Sequence, residues 1–403
     1  MKILLNDFSG FSYPLDLSRQ LARWGHGVTH VYCDSLVTTP GGNLKRRLDD
    51  PDSLEIKPLV LSEPLAKYRF FKRRRQEILY GKLLAREIEQ HEPDVVISAN
   101  APLDTQQIIM RKCQQLNIPF VFWLQDLTGI AARRILPKRI PLLGHAIGEY
   151  YLRMERGQLR RSAAVVSLTS DFVPILTGWG IPAERHTVIE NWAPISEIPI
   201  GDKSNEWSSA EGLENTFNFI YAGTMGLKHN PELIVELART FSDVEEVRIV
   251  VLSQGLGADF LTEKKVKEGL DNLIVKDFVH FSKMHNVMAA ADVLVVVLEE
   301  DASVFSVPSK TLAYLCSRRA ILASMPLENL AAKILLRNQA GLVAAPKDVE
   351  KFTLSARKLY EDQYLRPRLA AAGRDYAEET FQISRIAKSF EQVLQRALSV
   401  PLR

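Results

Sequence analysis

Short hydrophobic runs alternate with longer amphipathic stretches along almost the whole chain. Runs such as residues 28–33 and 293–298 have the length and the apolar content of buried β-strands. Between such runs, stretches such as residues 15–24 place their apolar side chains at helical spacing. This alternation predicts βαβ units and parallel sheets, with helices covering both faces of each sheet.

The alternation of strands and helices runs through the chain twice. The first series ends near residue 190 and the second begins at residue 217. The stretch between them, residues 193–215, has no sustained apolar period, and we interpret it as a linker. The sequence therefore predicts an α/β fold with two Rossmann-like, doubly wound domains over residues 1–195 and 196–380. Residues 381–403 carry apolar side chains at helical spacing and predict a helix that crosses back to the first domain.

Composition and charge narrow the class of protein. The 403 residues carry a net charge of +3, which is too balanced for a chain that coats nucleic acid. Cys33, Cys113 and Cys316 lie far apart, so the sequence supports neither a disulfide framework nor a zinc site. No apolar run has the length of a membrane span, and the first residues do not resemble a signal peptide. We expect a cytoplasmic chain.

The loop after the first strand of the second series has the composition of a diphosphate site. Gly223 and Gly226 allow a ligand to approach the backbone, with Thr224 between them. Lys228 supplies a positive charge, and a helix begins directly afterwards. The alternative interpretation is a plain strand–helix turn with an exposed lysine.

A second candidate anion site precedes a later helix of the same series. Pro308 is suited to open that helix, so Ser309, Lys310 and Thr311 would present hydroxyls and an ammonium at its positive end. The alternative is a capped helix whose lysine faces solvent. Two such sites at strand ends of one domain favour anion binding.

Polar and aromatic residues also follow two strands of the first series. Gly10, Phe11 and Tyr13 lie after the first strand, in a loop without the GxGxxG pattern of dehydrogenases. Gly10 would admit a substrate close to the backbone, or the loop is only a tight turn with buried aromatic rings. Gln125 and Asp126 follow a later strand, where Asp126 would orient a hydroxyl group or cap a helix.

Basic and aromatic residues alternate in residues 67–75 (KYRFFKRRR), and a second basic region spans residues 133–161. With Tyr80, Leu84 and Ile88 following at helical spacing, we expect the first stretch to lie on an anionic membrane surface. A solvated helix face and RNA binding are the alternatives, but no nucleic-acid motif accompanies the basic residues.

The order of several segments resembles the retaining glycosyltransferases of family 4, which have the GT-B fold. The similar segments are residues 21–28 (LARWGHGV), 188–192 (VIENW), 222–228 (AGTMGLK), 289–293 (AAADV), 307–310 (VPSK) and 320–322 (AIL). Residues 6–11 (NDFSGF) together with Asn191 and Trp192 resemble a subgroup that makes bacterial surface polysaccharides of the colanic-acid and O-antigen type.

This resemblance implies that the second domain binds a nucleotide-diphosphate sugar, with UDP or GDP, and that the first binds the acceptor across a cleft. Lys228 matches the lysine that contacts the diphosphate, and Gly10 matches the glycine near the transferred sugar. The positions of the family's two glutamates fall on Phe305 and Ala313, or on Ser303 and Thr311 in a shifted register, and neither pair is acidic. Glu299, Glu300 and Asp301 are the alternatives for the sugar or ribose contacts, and Gln125 stands where the family commonly has a histidine. The resemblance implies no requirement for a metal ion or another cofactor.

We therefore expect retaining sugar transfer to a glycan or a polyprenyl-diphosphate-linked acceptor, on the inner face of the cytoplasmic membrane, without nucleic acid. The expected site residues are Lys228, Lys310 and Asp126 for catalysis, Gly10, Gly223, Thr224, Gly226, Ser309 and Thr311 for the donor, and Phe11, Tyr13 and Gln125 for the acceptor. The alternatives are a nucleotide-sugar 2-epimerase and a non-catalytic subunit that binds nucleotide sugars.

Overall fold

The computed structural model describes residues 1–36, 44–66, 69–140, 143–226, 229–300 and 309–399. By its contacts the chain divides into two compact units, which we call unit 1 (Met1–Asn191 with Gln382–Arg403) and unit 2 (Trp192–Phe381). These bounds lie within a few residues of the division at 195/196 and 380/381 expected from the sequence. Which unit binds which substrate stays a prediction.

Unit 1 is built on a parallel sheet with the strand order β3-β2-β1-β4-β5-β6-β7. Its strands are β1 (Lys2–Asp7), β2 (Gly27–Cys33), β3 (Leu54–Leu59), β4 (Val95–Ala99), β5 (Phe120–Leu124), β6 (Ala164–Ser167) and β7 (His186–Val188). Its helices are α1 (Ser12–Arg23), α2 (Phe70–His91), α3 (Leu103–Gln115), α4 (Thr128–Arg139), α5 (Leu143–Arg161) and α6 (Val173–Gly178).

Unit 2 repeats this arrangement with the parallel order β10-β9-β8-β11-β12-β13. Its strands are β8 (Phe217–Ala222), β9 (Val247–Leu252), β10 (Leu273–Lys276), β11 (Val293–Val297), β12 (Ala320–Ser324) and β13 (Gly341–Ala344). Its helices are α7 (Glu206–Ala210), α8 (Pro231–Thr240), α9 (Leu256–Glu268), α10 (Met284–Ala289), α11 (Ser309–Cys316), α12 (Leu330–Arg337), α13 (Val349–Glu361) and α14 (Leu365–Thr380).

The last helix of the chain, α15 (Ile383–Ser399), belongs to unit 1, as the sequence predicted for a helix that crosses back. Its apolar face contributes Phe390, whose ring lies 4.6 Å from that of Trp123 in β5. His26 Nε2 and Glu391 Oε1 add a hydrogen bond of 3.0 Å between the α1–β2 turn and α15. This contact with β5 ties α15 to the sheet of unit 1.

The interpretation of residues 193–215 as a linker is wrong. The segment belongs to unit 2 and contains α7, whose Asn205 cap accepts hydrogen bonds from the backbone N–H groups of Trp207 and Ser208. Trp207 and Leu213 are buried. Ala193 and Ile198 are buried as well. These scattered apolar side chains anchor the segment without the repeating pattern that marks an element in a sequence.

The helices α4 and α5 pack unusually closely because glycines lie between them. A Cβ on Gly144 would lie 2.4 Å from the carbonyl oxygen of Leu136, and a Cβ on Gly148 would lie 2.6 Å from Cα of Arg133. A Cβ on Gly129 would lie 2.8 Å from Cα of Leu152. Backbone therefore packs on backbone along this helix pair.

The three cysteines are buried free thiols at separate places in the fold. Across the described part of the chain, no helix combines the length and the apolar character that crossing a membrane demands.

Candidate functional site

In both sheets the strand order reverses direction beside the first strand, between β1 and β4 in unit 1 and between β8 and β11 in unit 2. Loops at the carboxyl ends of such strands splay apart, and ligands of doubly wound folds bind in the resulting crevice. A ligand is therefore expected to contact the residues that follow β1, β4 and β5 in unit 1 and those that follow β8 and β11 in unit 2.

The turn after β8 requires a glycine at position 223. Gly223 has φ +140°, a conformation that L side chains rarely adopt, and its N–H donates to the carbonyl oxygen of Leu252 over 2.9 Å. A Cβ there would lie only 3.0 Å from Nζ of Lys310. The two candidate anion sites of unit 2 thus meet at one place, where the Lys310 ammonium lies against the bare backbone of the turn.

Aromatic residues fix both partners of this contact. Lys310 Nζ lies 3.7 Å from the ring centroid of Tyr221, a cation–π geometry. Tyr314 in α11 accepts a hydrogen bond from the N–H of Ala222 (2.9 Å), and its hydroxyl also lies 3.2 Å from the carbonyl oxygen of Ala222. Burial raises the pKa of Tyr314, so the hydroxyl keeps its proton. These contacts hold the end of β8 and the start of α11 together.

The remaining donor candidates lie close to this contact. Thr224 and Gly226 lie in the same turn, where the Thr224 carbonyl accepts from the Tyr221 hydroxyl (3.1 Å) and the Gly226 N–H donates to Nδ1 of His229 (3.0 Å). Ser309 is exposed at the start of α11. Thr311 is buried, and its Oγ1 has no hydrogen-bond partner among the residues that the structure describes.

Several predicted positions lie outside the described residues. These are Lys228, Phe305, Pro308 and the rest of residues 301–308. Glu300, which follows β11, pairs with Lys347 at 2.5 Å. The structure therefore brings Lys310 to the predicted turn and leaves the role of Lys228 a prediction.

In unit 1, a buried carboxyl organises the loop after β1. Asp7 Oδ2 accepts from the N–H of Phe11 (2.5 Å), and Oδ1 accepts from Nδ2 of Asn100 (2.9 Å), which follows β4. Asn100 has φ +53°, and its Nδ2 lies 3.3 Å from the Tyr13 hydroxyl. Burial raises the pKa of Asp7 to about 7, and the hydrogen bonds only partly offset this shift.

The loop held by Asp7 contains the predicted Gly10. Gly10 has φ +66°, its N–H donates to the Asp7 carbonyl oxygen (3.1 Å), and a Cβ would lie 3.1 Å from the Leu44 side chain. Sequence reasoning found Gly10 but missed Asp7 as its support. The available signal was an acidic residue at the end of a buried strand.

Gln125 and Asp126 lie at the end of β5, as expected. Gln125 is buried and accepts from Nδ2 of Asn191 over 2.6 Å, whereas Asp126 is exposed. Tyr13 is buried at the start of α1 and stacks on the half-buried ring of Phe11, 5.8 Å between centroids. Burial raises the pKa of Tyr13, so its hydroxyl is neutral.

A cavity of about 680 Å³ opens at the carboxyl edge of the unit 1 sheet. Among the predicted residues it is lined by Phe11, Gln125 and Asp126. Residues of α2, α3, α4 and α5 line it, and its volume lies in the range of small-molecule sites. We call it the unit 1 cavity.

The unit 1 cavity contains acidic groups that sequence reasoning missed. Asp104 is nearly buried and forms two hydrogen bonds of 3.1 Å with Arg74 and one of 2.9 Å with the Tyr151 hydroxyl. Glu155 in α5 accepts from the N–H of Gly129 (3.0 Å), and burial raises the pKa of Glu155 to about 8. Both acids lie within helices whose sequence gives no local sign of a site.

The expected membrane-facing stretch is only partly exposed. Tyr80, Leu84 and Ile88 are fully buried in the core of unit 1, so the expectation that they lie on a membrane surface is wrong. Their helical spacing marks the core-facing side of α2. The opposite side carries Phe71, which is 86% exposed.

No group of three or more His, Cys, Asp or Glu side chains within the described ranges is arranged to hold a metal ion.

Comparison with known proteins supports this description. Residues 12–197 match the model of Glycosyltransferase Family 4, whereas no curated protein sequence matches the chain. Among solved structures, Anabaena HepE in complex with UDP-glucose is 14% identical with a TM-score of 0.69, covering 98% of this chain and 99% of its own.

Two further structures are similar over nearly their full lengths. Sucrose-phosphate synthase from Thermosynechococcus elongatus is 14% identical, with a TM-score of 0.70 and coverage of 98% of both chains. WaaG, a glycosyltransferase involved in lipopolysaccharide biosynthesis, is 15% identical, with a TM-score of 0.67 and coverage of 97% of this chain and 99% of its own. The chain thus has the GT-B fold of these glycosyltransferases, and residues 12–197 carry the match to Glycosyltransferase Family 4.

Proposed function

We propose that the protein is a retaining glycosyltransferase that moves a sugar from a nucleotide-diphosphate donor to an acceptor hydroxyl. The observation that carries this proposal is the contact between Gly223 and Lys310, because it combines a bare backbone and a positive charge at the switch point of unit 2. The family match and the UDP-glucose complex of HepE support a nucleotide sugar as donor.

The proposed role of Lys310 is to stabilise the leaving group. As the bond to the anomeric carbon lengthens, negative charge builds on the departing diphosphate, and an ammonium beside it gains more from the transition state than from the ground state. Lys228 is expected to act in the same way. The leaving phosphate oxygen accepts the proton of the acceptor hydroxyl, and the proposal needs no metal ion because the lysines supply the positive charge.

The proposed place of the acceptor is the unit 1 cavity. Asp126 would orient its hydroxyl, Gln125 and Phe11 would contact it, and the buried Tyr13 would support the Phe11 ring by stacking on it. The resemblance to transferases of surface polysaccharides, together with the similarity to WaaG, supports a glycan or a lipid-linked glycan as acceptor. Donor binding by unit 2 and acceptor binding by unit 1 together give the division of roles expected from the sequence.

A thermal-shift screen tests the donor first. We expect one nucleotide class among UDP, GDP, ADP and CMP sugars to raise the melting temperature, since a ligand at 100 times its Kd stabilises the native state by about 2.7 kcal/mol. Lys310→Ala should reduce the shift, and the exposed Lys351→Ala in α13 is the matched control. A screen in which every nucleotide sugar leaves the wild-type melting temperature unchanged contradicts the proposal.

The same preparations separate the proposal from its two alternatives. Incubation with the bound donor alone would yield a new nucleotide sugar if the protein were an epimerase. A donor that binds without turnover across a broad panel of acceptors would indicate a non-catalytic subunit. We expect neither result, and transfer with retained anomeric configuration, read by NMR of the product, is the positive outcome.

We also propose that the acceptor is presented at an anionic membrane surface. Exposed Phe71 lies between the exposed Arg69 and Arg75, a combination of apolar and basic side chains that suits an anionic interface. Flotation with vesicles containing phosphatidylglycerol should recover the protein at low salt and lose it as the salt concentration rises. Equal recovery with neutral phosphatidylcholine vesicles, or none with either, contradicts this proposal.

A further inference from the structure

The inner end of the unit 1 cavity holds two buried polar side chains, which we call the cavity floor. Glu155 and Gln106 both line the cavity and are each only 1% exposed. Glu155 Oε1 and Gln106 Oε1 have no hydrogen-bond partner within the described ranges of the chain. Buried polar atoms are normally paired, because an unpaired one has lost its water without replacement. A ligand with hydroxyl groups can therefore supply the hydrogen bonds that these two oxygens lack.

The Glu155 carboxyl is held in place by its other oxygen. Glu155 Oε2 accepts from the N–H of Gly129 over 3.0 Å, at the start of α4. Gly129 permits this approach, since a Cβ there would lie 2.8 Å from the same oxygen. One oxygen of Glu155 is thus fixed by the fold, and the second is left for the cavity.

Charge pairing in the cavity excludes a phosphate-binding role for its floor. The two arginines that line it both have carboxylate partners: Arg73 bonds Glu77 at 2.7 Å, and Arg74 bonds Asp104 at 3.1 Å. No lysine or histidine is among the described lining residues. An anionic group at the floor would find no cation among the described lining residues that lacks a carboxylate partner. The floor suits uncharged hydroxyl groups, which donate and accept hydrogen bonds.

The outer walls of the cavity are apolar. One face of α4 contributes Ala131, Ala132, Ile135 and Leu136, at the spacing of a single helix side. Phe70 of α2 also lines the cavity. Phe70 and Ile135 are 40% and 42% exposed, which places them where the cavity opens to solvent. A bound ligand would therefore make polar contacts at the floor and apolar contacts at the opening.

We propose that the unit 1 cavity binds a saccharide that carries an apolar substituent, with sugar hydroxyls on Glu155 and Gln106 and the substituent against Phe70 and Ile135. This inference rests on the proposed function in that it names the acceptor class of that reaction. The floor residues discriminate by hydrogen bonding, because a ligand without hydroxyls leaves both buried oxygens unpaired.

Calorimetric titration with two amphiphiles tests the inference. The probe is n-octyl β-D-glucopyranoside below its critical micelle concentration, and the comparison is triethylene glycol monooctyl ether, which has the same tail and no sugar ring. We expect the wild type to bind the glucoside and to bind the ether about tenfold more weakly or not at all.

Variants of the floor separate hydrogen bonding from shape. Glu155→Met and Gln106→Met keep the approximate volume and remove the polar atoms, so each should weaken binding of the glucoside about tenfold. Glu155→Gln keeps a hydrogen-bonding group at the floor and should bind nearly as the wild type does. Glu149→Gln, a partly exposed carboxylate of the same helix that does not line the cavity, is the matched control. Melting temperatures establish whether each variant is folded. If Glu155→Met does not fold, Gln106→Met is the variant that tests the inference.

Three results would overturn the inference: no binding of the glucoside to the wild type, equal binding of both amphiphiles, or unchanged binding by the Met variants. Titration of the same preparations with UDP, or with the nucleotide found in the thermal-shift screen, keeps the two proposals apart. Nucleotide binding without glucoside binding refutes only the acceptor class. Glucoside binding without any nucleotide binding refutes the proposed glycosyltransferase instead.

Discussion

The two units share a strand order, but the carboxyl edges of their sheets have opposite chemical character. In unit 1 this edge holds the buried Asp7, and the cavity that opens there holds the buried Glu155; burial shifts both acids toward their neutral forms. In unit 2 it holds the glycine turn at Gly223 with the Lys310 ammonium against it. One edge suits an uncharged ligand with hydroxyls, and the other suits an anion.

This contrast arises from a few residues and not from the scaffold. The parallel sheets place loops at equivalent edges of the two units, and the residues after each strand then decide what the edge attracts. Asp7 ends β1 where Ala222 ends β8, and each is followed by a glycine with positive φ within a few residues. Three experiments test the two edges separately.

The largest effect is expected in the pH dependence of stability at the unit 1 edge. The pKa of Asp7 is about 7 in the native state against 3.8 ordinarily, so the native state retains this proton to higher pH than the unfolded chain. The stabilisation from Asp7 is fully present below about pH 4 and is lost as the pH rises to about 7. Its size is on the order of 4 kcal/mol, at about 1.4 kcal/mol per pKa unit.

Urea denaturation of wild type and Asp7→Asn between pH 4 and pH 8 measures this contribution. Because Asn does not titrate, the unfolding free energy of the wild type should fall relative to that of Asp7→Asn as the pH rises. Other titrating groups contribute equally to both proteins and cancel. A difference that stays constant over this range would mean that Asp7 is ionised in the native protein.

A somewhat smaller effect is expected from Lys310→Ala at the unit 2 edge. Loss of a positive charge beside the leaving diphosphate should cost about 2–4 kcal/mol of transition-state stabilisation, or about 10²–10³ in kcat. The fold should tolerate the change, because the Tyr314 hydrogen bonds to Ala222 remain. Steady-state transfer with the donor found by the thermal-shift screen measures it, and Lys351→Ala is again the control. An unchanged kcat would show that the positive charge at the unit 2 edge does not stabilise the leaving group.

The smallest effect is expected from Gly148→Ala, which tests the helix pair that forms a wall of the unit 1 cavity. Its Cβ would lie 2.6 Å from Cα of Arg133, and forcing α4 away from α5 should cost about 1–3 kcal/mol. Gly157→Ala in the same helix is the control: a Cβ there meets nothing within 4 Å, and alanine favours the helix by about 0.5–1 kcal/mol. Thermal melts of both variants distinguish close packing from helix propensity. Equal melting temperatures of Gly148→Ala and Gly157→Ala would contradict the close packing of α4 on α5.

The strands and the turn at Gly223 were predictable because their signals are local. Continuous apolar runs mark strands buried on both faces, and glycines directly after such a strand mark a turn with a bare backbone. Glu155, Gln106 and Asp104 were not predictable, because helices separated in the sequence bring them together and neighbouring residues give no sign of it. The membrane assignment of Tyr80 failed because helical spacing marks an apolar face without telling what covers it.

The place of α15 bears on how the protein is made. Its Phe390 packs on Trp123, and its Glu391 pairs with His26, so the segment synthesised after unit 2 completes the interior of the unit synthesised before it. Unit 2 is continuous in the chain, whereas unit 1 is complete only after α15 has been synthesised. A fragment ending at Asn191 would expose the surface that α15 covers, and a stable isolated unit 1 would need α15 rejoined to it by a short connection.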